Sequence, residues 1–336
     1  MDSSGAERAW EASGGACSRY PAAACNTVRA MALSLGKLLL TKLASVVAVV
    51  VGTTGLTWLI VNALRPDLRA GDDRSLFVAL ADYLESAFLH LDFSSSTTAS
   101  NREVETLIRQ GLPVDLSLLA GGLAVGLIGG IAGGALCAAR PGTLPARVLD
   151  ALAVLFICTP VYVVGLALLL SFGAGVGFVH SGIVPMSYVP FAESPTRWAG
   201  SLLAPWFVLG LPLAGACLRL MRSSMLETLD EDYVRTAVAK GLRRRRVVGH
   251  HALRPALPPV VALTTVSMPV VVTNLVLIEQ VFTVPGVFTG MRRGIQAGDF
   301  DLLFALTAVA AGLVALASAV TDLVLAWVNP RVRARA

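Results

Sequence analysis

The sequence predicts an all-α integral membrane protein with six transmembrane helices. Composition is the first indication, because 55% of the 336 residues are apolar and the mean hydropathy is +0.71. The second indication is a set of six apolar segments without a charged residue, each close to the roughly 20 helical residues that a hydrocarbon core requires. These segments are residues 45–64, 116–139, 151–172, 200–218, 257–278 and 302–321.

The distribution of charge predicts which helix ends face the cytoplasm. If consecutive helices alternate in direction, one side receives the basic residues before the first helix, after the second, after the fourth and after the sixth. The long loop after the first helix lies on the other side and carries an excess of aspartate and glutamate. Because positively charged loops stay in the cytoplasm, we expect both termini and the arginine-rich loop there.

The chain divides into four regions by composition. Residues 1–32 are rich in alanine, serine and glycine and lack the apolar core of a signal peptide, so we expect a disordered cytoplasmic tail. Residues 33–111 hold the first helix and a long extracytoplasmic loop, in which residues 75–93 have the apolar spacing of an amphipathic helix. Residues 112–328 hold the other five helices, and residues 329–336 form a cytoplasmic C-terminus.

The second transmembrane segment has a glycine on every fourth residue, at Gly122, Gly126, Gly130 and Gly134. Residues four apart share one face of a helix, and glycine lets the backbone of a neighbouring helix approach closely. We therefore predict that this face packs tightly against another helix. A face that lines a channel is the alternative.

The segment between the fourth and fifth helices, about residues 222–256, is polar and basic. Each of its charges would cost about 2.5–3.5 kcal/mol at the bilayer centre, so the segment projects into water. Residues 232–240 favour a helix, residues 242–253 favour a second one, and Gly241 between them predicts a sharp turn with positive φ. The result is a rigid basic knob that a soluble partner could bind, or else a merely solvated loop. Its position beside the membrane explains the arginines without nucleic-acid binding.

No motif for catalysis is present in the sequence. The P-loop pattern for nucleotide phosphates and the short motifs of zinc peptidases and serine hydrolases do not occur. The five cysteines show no metal-ligand spacing, so we expect no metal and no cofactor. Glu279, at the end of the fifth helix, is one of few ionisable residues near membrane depth. We therefore predict a non-catalytic membrane component that takes its energy from another protein.

Residues 232–259 resemble the cytoplasmic signature loop of permease subunits in binding-protein-dependent ABC importers, whose pattern is Glu-Ala-Ala, three residues, Gly, nine residues, Ile-x-Leu-Pro. Ala237, Gly241 and Leu253 match that pattern literally. The run Asp-Tyr-Val-Arg-Thr-Ala-Val-Ala-Lys-Gly-Leu at residues 232–242 is similar to the version found in the peptide/nickel subfamily. The resemblance implies that ATPase coupling involves Asp232, Tyr233, Arg235, Thr236, Ala237, Lys240, Gly241 and Leu242.

Three further stretches extend the resemblance over about residues 33–333. The run Glu279-x-x-Phe282-x-x-Pro285-Gly286 is similar to the subfamily's outer loop after the fifth helix, which assigns these four residues to an outer gate. Leu91-Asp92-Phe93, followed by serines, looks like its first-loop motif, and Asn329-Pro330-Arg331 resembles its C-terminal ending.

The resemblance implies the type I ABC importer permease fold in a bacterial inner membrane. Such a permease forms half of a translocation pathway for peptides or a similar small solute, and the cargo stays open among dipeptides, oligopeptides and nickel chelates. The implied partners are a second homologous permease, two cytoplasmic ATP-binding subunits, an extracytoplasmic solute-binding protein and membrane lipid. Nucleic acid is not among them.

Two other classes of membrane protein compete with this interpretation. A secondary transporter or channel without an ATPase partner would need buried ionisable groups or inverted repeats. A membrane scaffold without transport activity would leave the signature loop unexplained. Co-purification with an ATPase subunit separates the permease from both.

Overall fold

The described part of the protein is helical, as the sequence predicts. The computed structural model describes residues 22–65, 75–89, 101–174, 178, 184, 185 and 187–328, and these contain no strand beyond one isolated bridge between Gly173 and Val184. The helices are α1 (Ala22–Leu64), α2 (Leu76–Leu89), α3 (Asn101–Ala139), α4 (Leu144–Cys158), α5 (Val161–Phe172), α6 (Pro195–Leu229), α7 (Asp232–Ala239), α8 (Leu253–Val281), α9 (Val287–Ala297) and α10 (Phe300–Val328).

The membrane spans agree with the predicted number when a bent pair of helices is taken as one span. Within the described ranges, five helical segments are long and apolar enough to cross a membrane, namely Leu40–Leu64, Thr106–Ala139, Pro195–Leu229, Val247–Val281 and Leu302–Leu323. Helices α4 and α5 together satisfy the same criterion and form the third span in chain order, which brings the number to six. All six predicted segments fall within these spans.

The third span, predicted at residues 151–172, is broken near its middle. Helices α4 and α5 meet at an angle of 109°. Proline at position 160 has no backbone N–H and disfavours the helical conformation of the residue before it. Thr159 is accordingly extended, with φ −91° and ψ 126°. The bend therefore has a local cause in the Thr159–Pro160 pair.

The first helix begins earlier than the sequence predicts. Helix α1 starts at Ala22, so residues 22–32, which we expected to be disordered, continue the first span as helix. These residues are rich in alanine and precede the span with no proline between them and it, so adding them to an existing helix needs no new nucleation. Residues 1–21 lie outside the described ranges.

The amphipathic helix predicted at residues 75–93 is present as α2 over Leu76–Leu89, and residues 90–93 lie outside the described ranges. It packs against α1 and α10 through an aromatic cluster. The rings of Trp58 and Tyr83 stack with centroids 5.8 Å apart, and Phe304 meets Tyr83 edge-on at 5.8 Å. These side chains are buried, so α2 is part of the bundle.

The core lies between α3, α5, α6 and α8. Its largest side chains are fully buried, among them Leu118, Leu209 and Leu275. A second cluster, which includes Met221, Met225 and Val260, continues the contact of α6 with the beginning of α8. Because lipid tails are as apolar as these side chains, close packing, and not removal of water, holds such helices together.

Two ion pairs tie helix ends together at one end of the bundle. Lys42 Nζ lies 2.5 Å from Asp322 Oδ2 and joins the start of the first span to the end of the sixth. Arg222 Nη1 lies 3.2 Å from Asp150 Oδ2 and joins the fourth span to α4. We call this end of the bundle, which also carries the four arginines at residues 243–246, the basic side.

Candidate functional site

A short helix projects from the basic side after the fourth span. Helix α7 has Asp232 in its first turn, where a negative charge interacts favourably with the helix dipole. It ends in a Schellman motif, in which Leu242 N–H donates to Ala237 O at 3.3 Å and Gly241 N–H donates to Val238 O at 2.9 Å. Gly241 has φ 79°, which confirms the predicted positive φ. We call residues 232–242 the knob.

The knob is fixed to the bundle along one face only. Val234 and Ala237 are buried between α6 and the turn before α8. Tyr233 Oη donates a hydrogen bond to His251 O at 3.4 Å. Partial burial, and then the charge of Glu231, raise the pKa of Tyr233, so its hydroxyl keeps the proton that it donates.

The other predicted coupling residues share an exposed surface on the knob. Leu242 is half-buried, and the remaining members are exposed, namely Asp232, Tyr233, Arg235, Thr236, Lys240 and Gly241. Of the eight residues in the sequence prediction, Ala237 alone is buried. The exposed surface therefore mixes both charges with a tyrosine ring, and Tyr233 also joins it to the turn before α8 through the hydrogen bond to His251 O.

The second helix predicted at residues 242–253 is the beginning of the fifth span. A turn at Arg244–Arg246 leads into a π-helical segment, Val247–Ala252, which runs directly into α8. Within it, Leu253 N–H reaches back to Val248 O, five residues earlier. A short turn over residues 240–243 separates α7 from Arg244, and from Arg244 onward the backbone is helical into α8.

The four residues predicted for an outer gate lie at the opposite end of α8. Phe282 and Val284 turn inward and are buried, and Phe282 packs beside Gly165 of α5. Pro285 is exposed and Gly286 is buried. A side chain on Gly286 would overlap the carboxyl groups of Asp115 and Glu279, so glycine is required for this approach. We call residues 282–289 the outer loop.

Glu279 has a partner that the sequence analysis did not identify. Asp115 on α3 is 0% exposed and Glu279 is 1% exposed. Val287 N–H donates to Asp115 Oδ2 at 3.0 Å, and Thr289 donates to Glu279 Oε2 from its N–H at 2.6 Å and from its hydroxyl at 2.9 Å. The available signal was an aspartate between Val114 and Leu116, at the edge of an apolar run, because acidic residues at membrane depth are rare and functional.

The glycine face of the second span lies against α6 of the same chain. A Cβ on Gly122 would come 2.7 Å from Leu209 Cδ2, and one on Gly126 would come 2.8 Å from Leu213 Cδ2. A Cβ on Gly130 would overlap Cys217, and one on Gly134 would come 2.6 Å from Leu218 O. This face is therefore covered within the chain.

Two stretches that contribute to the resemblance, Leu91-Asp92-Phe93 and Asn329-Pro330-Arg331, lie outside the described residues. The knob and the outer loop are both described, and they stand at opposite ends of α8. One span therefore connects a surface suited to a soluble partner with a loop that closes over a buried carboxyl pair.

Comparison with known proteins matches residues 130–334 to the family described as binding-protein-dependent transport system inner membrane component. A putative peptide permease protein of Brucella ovis is 34% identical over 272 residues, 81% of this chain and 84% of that protein. An oligopeptide transport system permease protein of Mycobacterium bovis is 34% identical over 82% of this chain and 85% of that protein. A dipeptide transport system permease protein of Lactococcus lactis is 33% identical over 72% and 76%.

Proposed function

The chain belongs to the family of binding-protein-dependent transport system inner membrane components, and from this premise we propose that it is the permease subunit of an ATP-driven importer. In this proposal it forms half of the translocation pathway, and separate ATP-binding subunits supply the energy. The knob is the observation that carries the proposal. It is a short helix with an exposed face, and a tight turn over residues 240–243 joins it to the helical backbone that leads into the fifth span.

Force from an ATP-binding subunit would enter through the exposed surface of the knob. Arg235 and Lys240 offer positive charge, Asp232 offers negative charge, and Tyr233 adds an apolar ring, a mixture typical of protein–protein contacts. Gly241 fixes the angle between the knob and α8. Closure of two ATP-binding subunits would then tilt α8 and open the bundle towards the opposite side.

Peptides are the proposed cargo, because the curated relatives carry peptide, oligopeptide and dipeptide permease in their names. An extracytoplasmic solute-binding protein would deliver the peptide above the outer loop. The family description, which names a binding-protein-dependent system, supports this partner.

A second homologous permease completes the pathway in this proposal. Several large apolar side chains on α5 and α8 remain exposed in the single chain, among them Leu166, Leu170, Val266 and Val270. In a membrane such side chains face lipid or another membrane subunit. The glycine face of the second span does not serve that contact, because α6 covers it.

The orientation follows from charge. The basic side would face the cytoplasm, together with both termini and the knob, because arginines and lysines concentrate there. The outer loop and α2 would then face outwards, on the side of the solute-binding protein.

A proton-coupled secondary transporter is the second candidate, because the buried Asp115–Glu279 pair is the kind of group that such transporters need. Family membership favours the ATP-driven permease. The test is peptide uptake into proteoliposomes, with the chain alone or with its second permease, ATP-binding subunits and solute-binding protein. We expect uptake only with the partners and ATP. Uptake by the chain alone under a proton gradient, at the rate of the full complex, would overturn the proposal.

A further inference from the structure

The carboxyl groups of Asp115 and Glu279 lie side by side inside the protein. A Cβ on Gly286 would overlap both Asp115 Oδ1 and Glu279 Oε1, so these two oxygens flank the same point. Both oxygens are buried, and neither accepts a hydrogen bond from the residues that the structure describes. An ionised carboxylate only accepts hydrogen bonds, so this contact lacks a proton if both groups are charged.

One proton between the two facing oxygens removes the repulsion between the carboxyl groups. A protonated carboxyl group donates to a neighbouring carboxylate, whereas two carboxylates that share a buried site repel each other. The two outward oxygens, Asp115 Oδ2 and Glu279 Oε2, already accept from Val287 and Thr289. The arrangement therefore suits a pair with one proton and one negative charge.

The negative charge that remains on the pair lies beside the N-terminus of α9. Val287 and Thr289 are in the first turn of α9, an 11-residue helix, and the free N–H groups of a helix N-terminus stabilise a negative charge. Asp115 belongs to the second span and Glu279 to the fifth. The pair consequently joins three elements, namely the second span, the end of the fifth span and the helix that follows the outer loop.

We propose that Asp115 and Glu279 hold one shared proton and act as a latch that keeps the outer loop closed against the second span. Loss of that proton places two negative charges in the buried site and releases the loop. Uptake of a second proton adds no repulsion, so the latch stays closed when the pH falls. Asp115 is thus a positioning residue for the outer loop.

The charged side chains described on the surrounding elements do not neutralise the carboxyl pair. Among the described side chains, Arg109 on α3 is exposed, and Arg292 on α9 bonds to Gln296. Asp299 caps the start of α10 by accepting from Leu302 N–H, Arg197 at the start of α6 is exposed, and α5 has no charged residue. None of them has a recorded contact with the pair.

The reactivity of cysteines placed in the outer loop tests the latch. The full chain is purified in lipid nanodiscs without its partners, so the result does not depend on ATP-driven transport. In a background without the five native cysteines, Val284→Cys reports opening, because Val284 is 2% exposed. Pro285→Cys, exposed in the same loop, corrects for the pH dependence of thiol reactivity. The measured quantity is the ratio of the two labelling rates.

We expect this ratio to rise at least about tenfold as the pH is raised, equivalent to about 1.4 kcal/mol in the closed–open equilibrium. With Asp115→Asn the ratio should stay low, because the amide keeps both hydrogen bonds and cannot ionise. Glu279→Gln should behave likewise and serves if the first variant does not fold. A ratio independent of pH, or an equal rise in wild type and variants, would refute the latch.

Infrared spectroscopy tests the shared proton itself. At neutral pH the wild type should show the carbonyl band of a buried protonated carboxyl group, and the Asp115→Asn/Glu279→Gln double variant should lose it. Asp150→Asn is the matched control, since Asp150 pairs with Arg222 at the other end of the bundle. Absence of the band in the wild type, or its retention in the double variant, would show that the pair holds no proton.

Discussion

At the scale of single residues, glycine meets two separate needs in this chain. Gly241 is required for its backbone conformation, because its φ is 79° and no atom lies within 4 Å of the position of a Cβ. Gly130 is required for space, because a Cβ there would overlap Cys217 and come 2.9 Å from Ala214 O. The sequence context distinguishes these reasons, because Gly241 separates two helix-forming stretches and Gly130 belongs to a series of glycines four residues apart.

Alanine should affect stability differently at two adjacent glycines in α3, because only one of them has room for a side chain. Gly130→Ala should destabilise the protein by about 1–3 kcal/mol, the usual cost of overpacking. Gly129→Ala is the matched control, because its Cβ would meet only Ala214 Cβ, at 3.9 Å, and alanine favours helix. Thermal unfolding in the same detergent compares them. Equal midpoints for both variants would show that α3 and α6 are not closely packed at Gly130.

At the scale of elements, hydropathy located every span but not the shape of the third. The apolar run over residues 151–172 predicts one span, and Pro160 within it marks a place where the helix can bend. Proline within a membrane helix permits a bend without determining its angle. That angle depends on tertiary contacts, such as Gly215 of α6 against Ala153 O and Gly165 of α5 beside Phe282. Such contacts are not local in sequence.

The alternation of elements across the membrane predicts which helices an external reagent can reach. Glu85→Cys on α2 and Lys240→Cys on the knob both replace exposed side chains. In intact cells, a membrane-impermeant maleimide should label position 85 and leave position 240 unlabelled until the cells are opened. Labelling of position 240 from outside would reverse the proposed orientation.

At the scale of the whole molecule, the two regions to which we assign a function differ in how far the sequence predicts them. The knob could be predicted, because its helix, its glycine turn and its charges are all contiguous. The Asp115–Glu279 pair could not, because its members are 164 positions apart in the numbering and meet only when α3 packs against the end of α8.

In our proposal an ATPase drives this bundle through the knob, and a substitution at Gly241 tests that coupling. Valine at this position must adopt a left-handed conformation that β-branched residues avoid, so Gly241→Val should turn the knob away from its partner without changing the packed spans. Gly249→Val is the matched control, since that glycine also has open space around it but no positive φ.

The measurement is peptide-stimulated ATP hydrolysis, together with peptide uptake, by the reconstituted complex at matched protein levels. We expect normal membrane insertion of Gly241→Val, with loss of uptake and of peptide stimulation, and near wild-type values for Gly249→Val. Wild-type uptake and stimulation in Gly241→Val would contradict the account, because the knob would then be a solvated connector that transmits no force.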